Sequence, residues 1–234
     1  MGQRNLDALV VAIDGPSGSG KSTVARGVAK ALGLRYLDTG AMYRAVTWLV
    51  LDRDVRLDDS AAIASLAREM DLQVDTDPER RGVTVGGTDV TQEIRSAQVT
   101  GSVSAVSAVG DVRAVMVRRQ RELIGSGGIV VEGRDIGTTV APDAPVKIFL
   151  TADEGVRAQR RGAEIAGRAL DASTVAATEE ALRRRDAADS GRAASPLTQA
   201  PDATVIDSTR LSADAVIARI VDLAGAVVAS GAAS

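Results

Sequence analysis

The chain has 234 residues, 45% hydrophobic and 25% charged, which predicts a globular fold of one domain with room for a small inserted part, not a disordered chain. It contains neither cysteine nor histidine, so disulfides, thiolate or imidazole metal sites, and cysteine or histidine catalysis are excluded. A net charge of −3 and only 2% aromatic residues argue against nucleic acid as a partner, no apolar run is long enough to cross a bilayer, and a chain without cysteine is expected in the cytoplasm by default.

Leu9 to Ile13 is a short apolar, β-branched segment of the kind that forms a buried strand, and Asp14-Gly-Pro-Ser-Gly-Ser-Gly-Lys-Ser-Thr23 follows it. Gly15 to Ser22 fits the phosphate-loop pattern G-x-x-x-x-G-K-[ST]. Thr23 to Leu32 then has helical spacing, with Gly33 as its stop. The motif therefore sits at a strand-to-helix turn, where glycines let backbone amides approach phosphate and the positive helix end faces the anion. A nucleoside triphosphate is expected on Gly15, Pro16, Ser17, Gly18, Ser19, Gly20, Lys21, Ser22 and Thr23. Lys21 would reach the β- and γ-phosphates, and Ser22 would offer its hydroxyl to Mg²⁺, the cofactor that ATP brings.

Leu34 to Asp38 reads as a second strand that breaks at Thr39-Gly40, with a helix from Ala41 to about Leu51. Asp38, Thr39 and Arg44 thus lie at the carboxyl end of a strand, where open α/β sheets bind ligands. A helix over Ala61 to Met70 gives way to the alternating Leu72 to Asp75, a loop over 76–82, and a hairpin signal, Val83 to Val85, Gly86-Gly87, Thr88 to Val90. Gln92 to Gly125 reads as helix in two parts, broken by Ser126-Gly127-Gly128. Ile129 to Val131 is a third parallel strand that opens into a loop from Glu132 to Thr138 containing Arg134-Asp135.

Val146 to Leu150 is the fourth strand. Asp153 to Ala169, with Arg157, Arg160, Arg161 and Arg168, is too polar for a core helix and reads as either a solvated helix or a mobile cover; Thr174 to about Asp186 is a second polar helix running on to Asp189 and Arg192. Thr204 to Asp207 is the fifth strand, and a helix from Ala213 to Ala229, capped by Ser212, closes the chain before a frayed tail from Ser230. The sum is an α/β, P-loop NTPase-type three-layer fold. A five-stranded parallel sheet carries a small antiparallel three-stranded insert and a helical lid. One domain spans 1–234, with a core over about 1–60, 100–150 and 195–234, an insert over about 61–99 and a lid over about 153–192.

A regulatory GTPase would need an N-K-x-D element after a strand, and the single asparagine, Asn5, precedes the loop. A kinase whose acceptor is itself a phosphate needs no general base, which suits a chain without histidine. Arginines from separate loops, Arg44, Arg134, Arg185 and Arg192, would grip the acceptor phosphate while Arg157 and Arg161 close from the cover. The residues alone leave other acceptors open (UMP, AMP, dTMP or a small non-nucleotide), as well as a nucleotide-dependent switch without turnover.

The sequence resembles the bacterial cytidylate kinases nearly end to end. The resemblance is carried by Ile13 to Ser22, Leu37-Asp-Thr-Gly-Ala-Met-Tyr-Arg44, Val90-Thr-Gln-Glu-Ile-Arg95 and Arg118-Arg-Gln-Arg121, then by Glu132 to Thr138, Ala141 to Lys147, Arg185-Asp186 with Asp189 and Arg192, and Asp207-Ser-Thr209. It implies transfer of a phosphoryl group from ATP to CMP or dCMP by a monomer. It also implies a monophosphate site of Thr39, Arg44, Ser104, Arg113, Arg134, Asp135, Arg185, Asp189 and Arg192, with Ser104 and Asp135 toward cytosine or sugar. With Lys21, the residues expected to act on the transferring group are Arg134, Arg157, Arg161 and Arg192.

Overall fold

The structure, a computed structural model, describes residues 6–166 and 172–231. Arg168, the first five residues of the polar start and residues 232–234 of the tail lie outside the described residues. The first strand, β1 (Val10–Asp14), is followed by helix α1 (Lys21–Leu32), strand β2 (Arg35–Asp38) and helix α2 (Thr39–Asp52). Helix α3 (Ser60–Glu69) leads into three short strands, β3 (Leu72–Val74), β4 (Val83–Val85) and β5 (Thr88–Asp89). A 3-10 turn (Glu93–Arg95) precedes helices α4 (Ala97–Ala108) and α5 (Gly110–Ile124). Strand β6 (Ile129–Gly133), a π-helical turn (Ile136–Val140) and strand β7 (Val146–Thr151) follow. The polar helices α6 (Glu154–Ala166) and α7 (Ala172–Ser190), strand β8 (Thr204–Asp207) and helix α8 (Ala213–Gly231) complete it.

Five strands form one parallel sheet in the order β2-β6-β1-β7-β8. Strict alternation sorts its side chains between two cores. Leu9, Val11, Ile13 and Val130 pack against α1 and α8, whereas Ala12, Leu37, Ile129 and Val131 pack against α2, α4 and α5. Both faces are covered, which explains the continuous apolar runs of β1 and β6. The central strand β1 lies between β6 and β7, so the loop after it opens where the crossovers diverge, the usual place for a ligand in such sheets.

The insert is the antiparallel sheet β3-β4-β5, with Leu72 opposite Val85 and Val74 opposite Val83. Its hairpin turns on Gly86 and Gly87 at φ 56° and 79°, the left-handed pair that a two-residue hairpin requires. Val83, Val85 and Val90 join the core beside α2, so the insert shares the core of the main sheet.

Several boundaries differ from those read in the sequence. Helix α1 starts at Lys21, and α2 starts at Thr39 because the Asp38 carboxylate caps it, accepting from the Ala41 amide at 3.0 Å. Gln92 and Gly125 lie outside the two long helices, which begin at Ala97, part at Val109 and end at Ile124. Glu132 and Gly133 continue β6 instead of opening a loop, since the strand is paired on both sides there, with Ile13 and Asp38 opposite Glu132. Helix α7 runs on to Ser190, which places Arg185 and Asp189 one turn apart on a helix.

Candidate active site

The turn after β1 is shaped by glycine. At Gly15, φ is 147° and a Cβ would lie 2.0 Å from the Leu150 carbonyl oxygen, so no other residue fits without moving backbone of β7. Asp14 anchors the turn from beneath: its carboxylate accepts from the amides of Ile136 at 2.9 Å and Gly137 at 2.7 Å. Gly20, left-handed at φ 90°, starts α1, so the first amides of that helix face the loop's concave side. Lys21 is buried and donates to the Pro16 carbonyl at 2.7 Å and to Ser19 Oγ at 3.4 Å. Burial, then the nearby Arg134, push its pKa down to about 7. Ser22 Oγ donates to Glu132 Oε2 at 3.0 Å, while Tyr36 donates its hydroxyl to Glu132 Oε1. That carboxylate is fully buried, and burial and then Asp38 raise its pKa to about 7.

The loop opens onto a cleft of about 360 Å³. One end is lined by Ser17 to Val24 with Arg160, Ser208, Leu211, Ser212, Ala213 and Val216. The other holds Thr39, Gly40, Tyr43, Arg44, Arg95, Val103 and Ser107, with Arg113, Gly133, Arg134, Asp135, Arg161, Arg185, Asp189 and Arg192. Among the described residues, nine basic side chains face this cleft against four carboxylates, in a chain whose net charge is −3. So concentrated a positive field fits a polyanion.

The second end is tied together by ion pairs. Arg113 is paired with Asp135, and its guanidinium lies over the Tyr43 ring at 5.1 Å. Arg134 Nε donates to Asp189 Oδ2 at 3.0 Å, and Arg192 donates from Nη1 to Ser107 Oγ at 3.5 Å. Arg44 donates to Thr100 Oγ1 at 2.8 Å, and Thr39 Oγ1 to the Glu132 carbonyl at 2.7 Å. Among the described residues at this end, four buried polar atoms, Tyr43 Oη, Arg113 Nε, Arg185 Nε and Arg192 Nη2, have no hydrogen-bond partner. Burial and then Arg134 lower the Arg185 pKa to about 9, and burial and then Arg161 lower that of Arg44 to about 10. Both remain cations at neutral pH, crowded together, which an anion between them would relieve.

Most of the residues singled out in the sequence therefore share one cleft: Ser17 to Thr23, Thr39, Arg44, Arg113, Arg134, Asp135, Arg161, Arg185, Asp189 and Arg192. Gly15 and Pro16 shape the loop from behind. Ser104 does not line the cleft; Ser107, one turn later on α4, does. Arg157 also lies off the cleft lining, its Nη1 on the Ser17 carbonyl at 3.0 Å, while Arg160 lines the cleft and donates to Ser208 Oγ at 2.9 Å. The sequence reading gave no role to Glu132, Tyr43, Ser107, Arg160 or Ser208. A signal for one of them was present, since Ser208 directly follows the last strand; Glu132 lies beside the phosphate-loop strand only through the pairing of β6 with β1.

Residues 11–226 match the sequence model of the family described as cytidylate kinase. The chain is 50% identical over 222 residues to the cytidylate kinase of Streptomyces avermitilis, covering 94% of each. It is 51% identical over 218 residues to that of Mycolicibacterium paratuberculosis, covering 92% of this chain and 94% of that one. Among solved structures, an uncharacterized protein from Eubacterium ventriosum superimposes with a TM-score of 0.53 at 14% identity over 94% of this chain and 99% of that one, a likeness of fold alone.

Proposed function

The chain belongs to the cytidylate kinase family and is a phosphotransferase with cytidylate kinase activity, and on that premise we propose how its residues divide the work between ATP and CMP or dCMP. The ATP phosphates lie in the loop from Gly15 to Thr23, with Lys21 on the β- and γ-phosphates and the base toward Arg160, Ser208 and Leu211. CMP takes the other end. Arg44, Arg134, Arg185 and Arg192 hold its phosphate, and the Arg113–Asp135 pair meets the base. This reading is supported by the chemistry of cytosine, which offers an amino donor beside a ring nitrogen and a carbonyl acceptor. A carboxylate next to a guanidinium complements that edge, whereas uracil would turn a carbonyl toward Asp135.

The observation that carries the proposal is the opening of the phosphate loop and the arginine group onto one cleft. Two anionic substrates brought there end to end need positioning and charge neutralisation more than covalent chemistry. The acceptor phosphate, with a second pKa of about 6, is already ionised at neutral pH and needs no base. Arg161, facing the cleft from α6, would help to neutralise the transferring group. Mg²⁺ fits the corner between Ser22 and Glu132. It binds through oxygen, keeps several waters and takes substrate phosphates, so it needs no cluster of three protein carboxylates, and none is found among the described residues. Ser22 would hold it, with Glu132 behind, and when bound it neutralises the β- and γ-oxygens.

We further place the enzyme in the cytoplasm as a monomer. Among the described residues no helix is long and apolar enough to cross a membrane. The test is ADP release in a coupled assay with Mg·ATP and a panel of CMP, dCMP, UMP, AMP and dTMP. Turnover is expected to be strongest with CMP and dCMP. A preference for another acceptor would move the base assignment, and no acceptor-dependent release would overturn the placement of the second substrate.

A further inference from the structure

Ser17 sits inside the phosphate loop, and both lid helices converge on it. Its amide donates to Asp186 Oδ1 on α7 at 3.0 Å, and its carbonyl accepts from Arg157 Nη1 on α6 at 3.0 Å. The same Nη1 also donates to Asp186 Oδ2, so the three residues close a ring. Arg185 adds a longer bond from Nη1 to Ser17 Oγ at 3.4 Å. The approach of backbones is equally close: at Gly18, φ 77°, a Cβ would lie 2.7 Å from the Arg157 carbonyl oxygen. The side chains of Arg157 and Asp186 are only 8% and 16% exposed, so this is a shielded, charge-assisted network and not a surface ion pair. Neither Arg157 nor Asp186 lines the cleft.

We propose that Asp186 is a positioning residue for phosphoryl transfer. Its carboxylate clamps the Ser17 amide and the Arg157 guanidinium together, so that the phosphate loop and the two lid helices hold one arrangement. In this role Arg157 acts through the clamp, and the direct contact with the transferring group is left to Arg161. The inference rests on the proposed placement of ATP in the loop. Its physical basis is that the loop's donors must be aimed before the phosphates arrive, since reorienting a peptide in the loop would weaken every phosphate contact that follows. Asparagine at 186 offers the Ser17 amide only a neutral, weaker acceptor and loses the charge that holds Arg157, whereas glutamate keeps the charge and misplaces it.

The experiment compares Asp186→Asn, Asp186→Glu, Arg157→Ala and the double variant Asp186→Asn/Arg157→Ala. Each is measured for ATP- and CMP-dependent kinetics and for hydrogen exchange at the Ser17 amide in ¹⁵N-labelled protein. Loss of one charge-assisted bond predicts a fall of about 10- to 100-fold in kcat/KM for ATP in each of Asp186→Asn and Arg157→Ala, with KM for CMP unchanged. The double variant should be no worse than the poorer single one. Ser17 exchange should quicken at least about tenfold in Asp186→Asn. Unchanged exchange at Ser17 would overturn the clamp. So would losses that multiply in the double variant, which would put Arg157 directly on the transferring group. A wild-type protein that releases no ADP with CMP would defeat the kinase placement instead, and the exchange data would still decide the clamp.

Discussion

Asp14 shows what a single buried carboxylate does for the phosphate loop and what it costs. Two backbone amides hold it, yet burial outweighs them and raises its pKa from 3.8 to about 6. A folded-state pKa above the unfolded value means that the native protein keeps a proton the unfolded chain has already lost. The associated stability is therefore full below about pH 4 and is lost as pH rises through 6. Asp14→Asn lacks this titration. Relative to the variant, the wild type should lose about 2 kcal/mol between pH 4 and pH 7, read as the shift in the difference of urea midpoints. A difference independent of pH would show that Asp14 is not the group that titrates. At this scale the sequence was informative about residue type and motif but not about facing. Ser104 and Ser107, or Arg157, Arg160 and Arg161, lie within one helical turn of each other, and a turn's offset decides which reaches a cleft. Glu132 escaped notice because its importance comes from Tyr36 and Ser22, which are distant in sequence and meet it only across the sheet.

The elements are held by contacts of the same long-range kind. Arg35, at the start of β2, fans its guanidinium over two carbonyls at the end of α5 and one just beyond it: Leu123 at 2.8 Å, Ile124 at 2.9 Å and Gly127 at 2.8 Å. A cation there satisfies the last carbonyls of the helix and opposes the negative end of its dipole. Arg35 does not line the cleft. Arg35→Met should therefore lower stability by about 2 kcal/mol, or roughly 5 °C in melting temperature, while turnover at low temperature is retained. An unchanged melting temperature would mean that water replaces the arginine without loss. The five parallel strands and the three-stranded insert were legible in the sequence because their signals are local: β-branched runs, a helix after each turn, a two-glycine hairpin. Boundaries were less so. The extension of β6 through Glu132 depends on pairing with β1 and β2, and the π-helical turn at Ile136–Val140 is bound to Asp14, so neither has a local signature.

Across the whole molecule, the nine basic groups that line the cleft among the described residues come from helices and loops around the sheet and from the polar helices α6 and α7, and Arg134, just after β6, meets Asp189 of α7 at 3.0 Å. The cleft therefore holds more positive charge than its four carboxylates offset, which suits a polyanionic ligand. Arg185 is the clearest case, since burial and then its neighbours Arg134 and Arg44 work against its charge, and its Nε has no partner. A base whose pKa is lowered on folding opposes folding, so removing it should help the ligand-free protein. Arg185→Met is expected to raise the stability of the free enzyme by about 1 kcal/mol while lowering kcat/KM for CMP by about 100-fold, the usual trade between stability and a charged site. Saturating nucleotide should reverse the order, because a ligand at 100 times its Kd stabilises the wild type by about 2.7 kcal/mol and binds the variant poorly. The measurement is a pair of melting curves, with and without ADP and CMP, set beside CMP kinetics. A variant less stable than wild type without ligand would show that Arg185 is held by its bond to Ser17 and by Asp189 more strongly than its fellow arginines repel it, and the cleft would then be a preformed cage rather than a repulsive one.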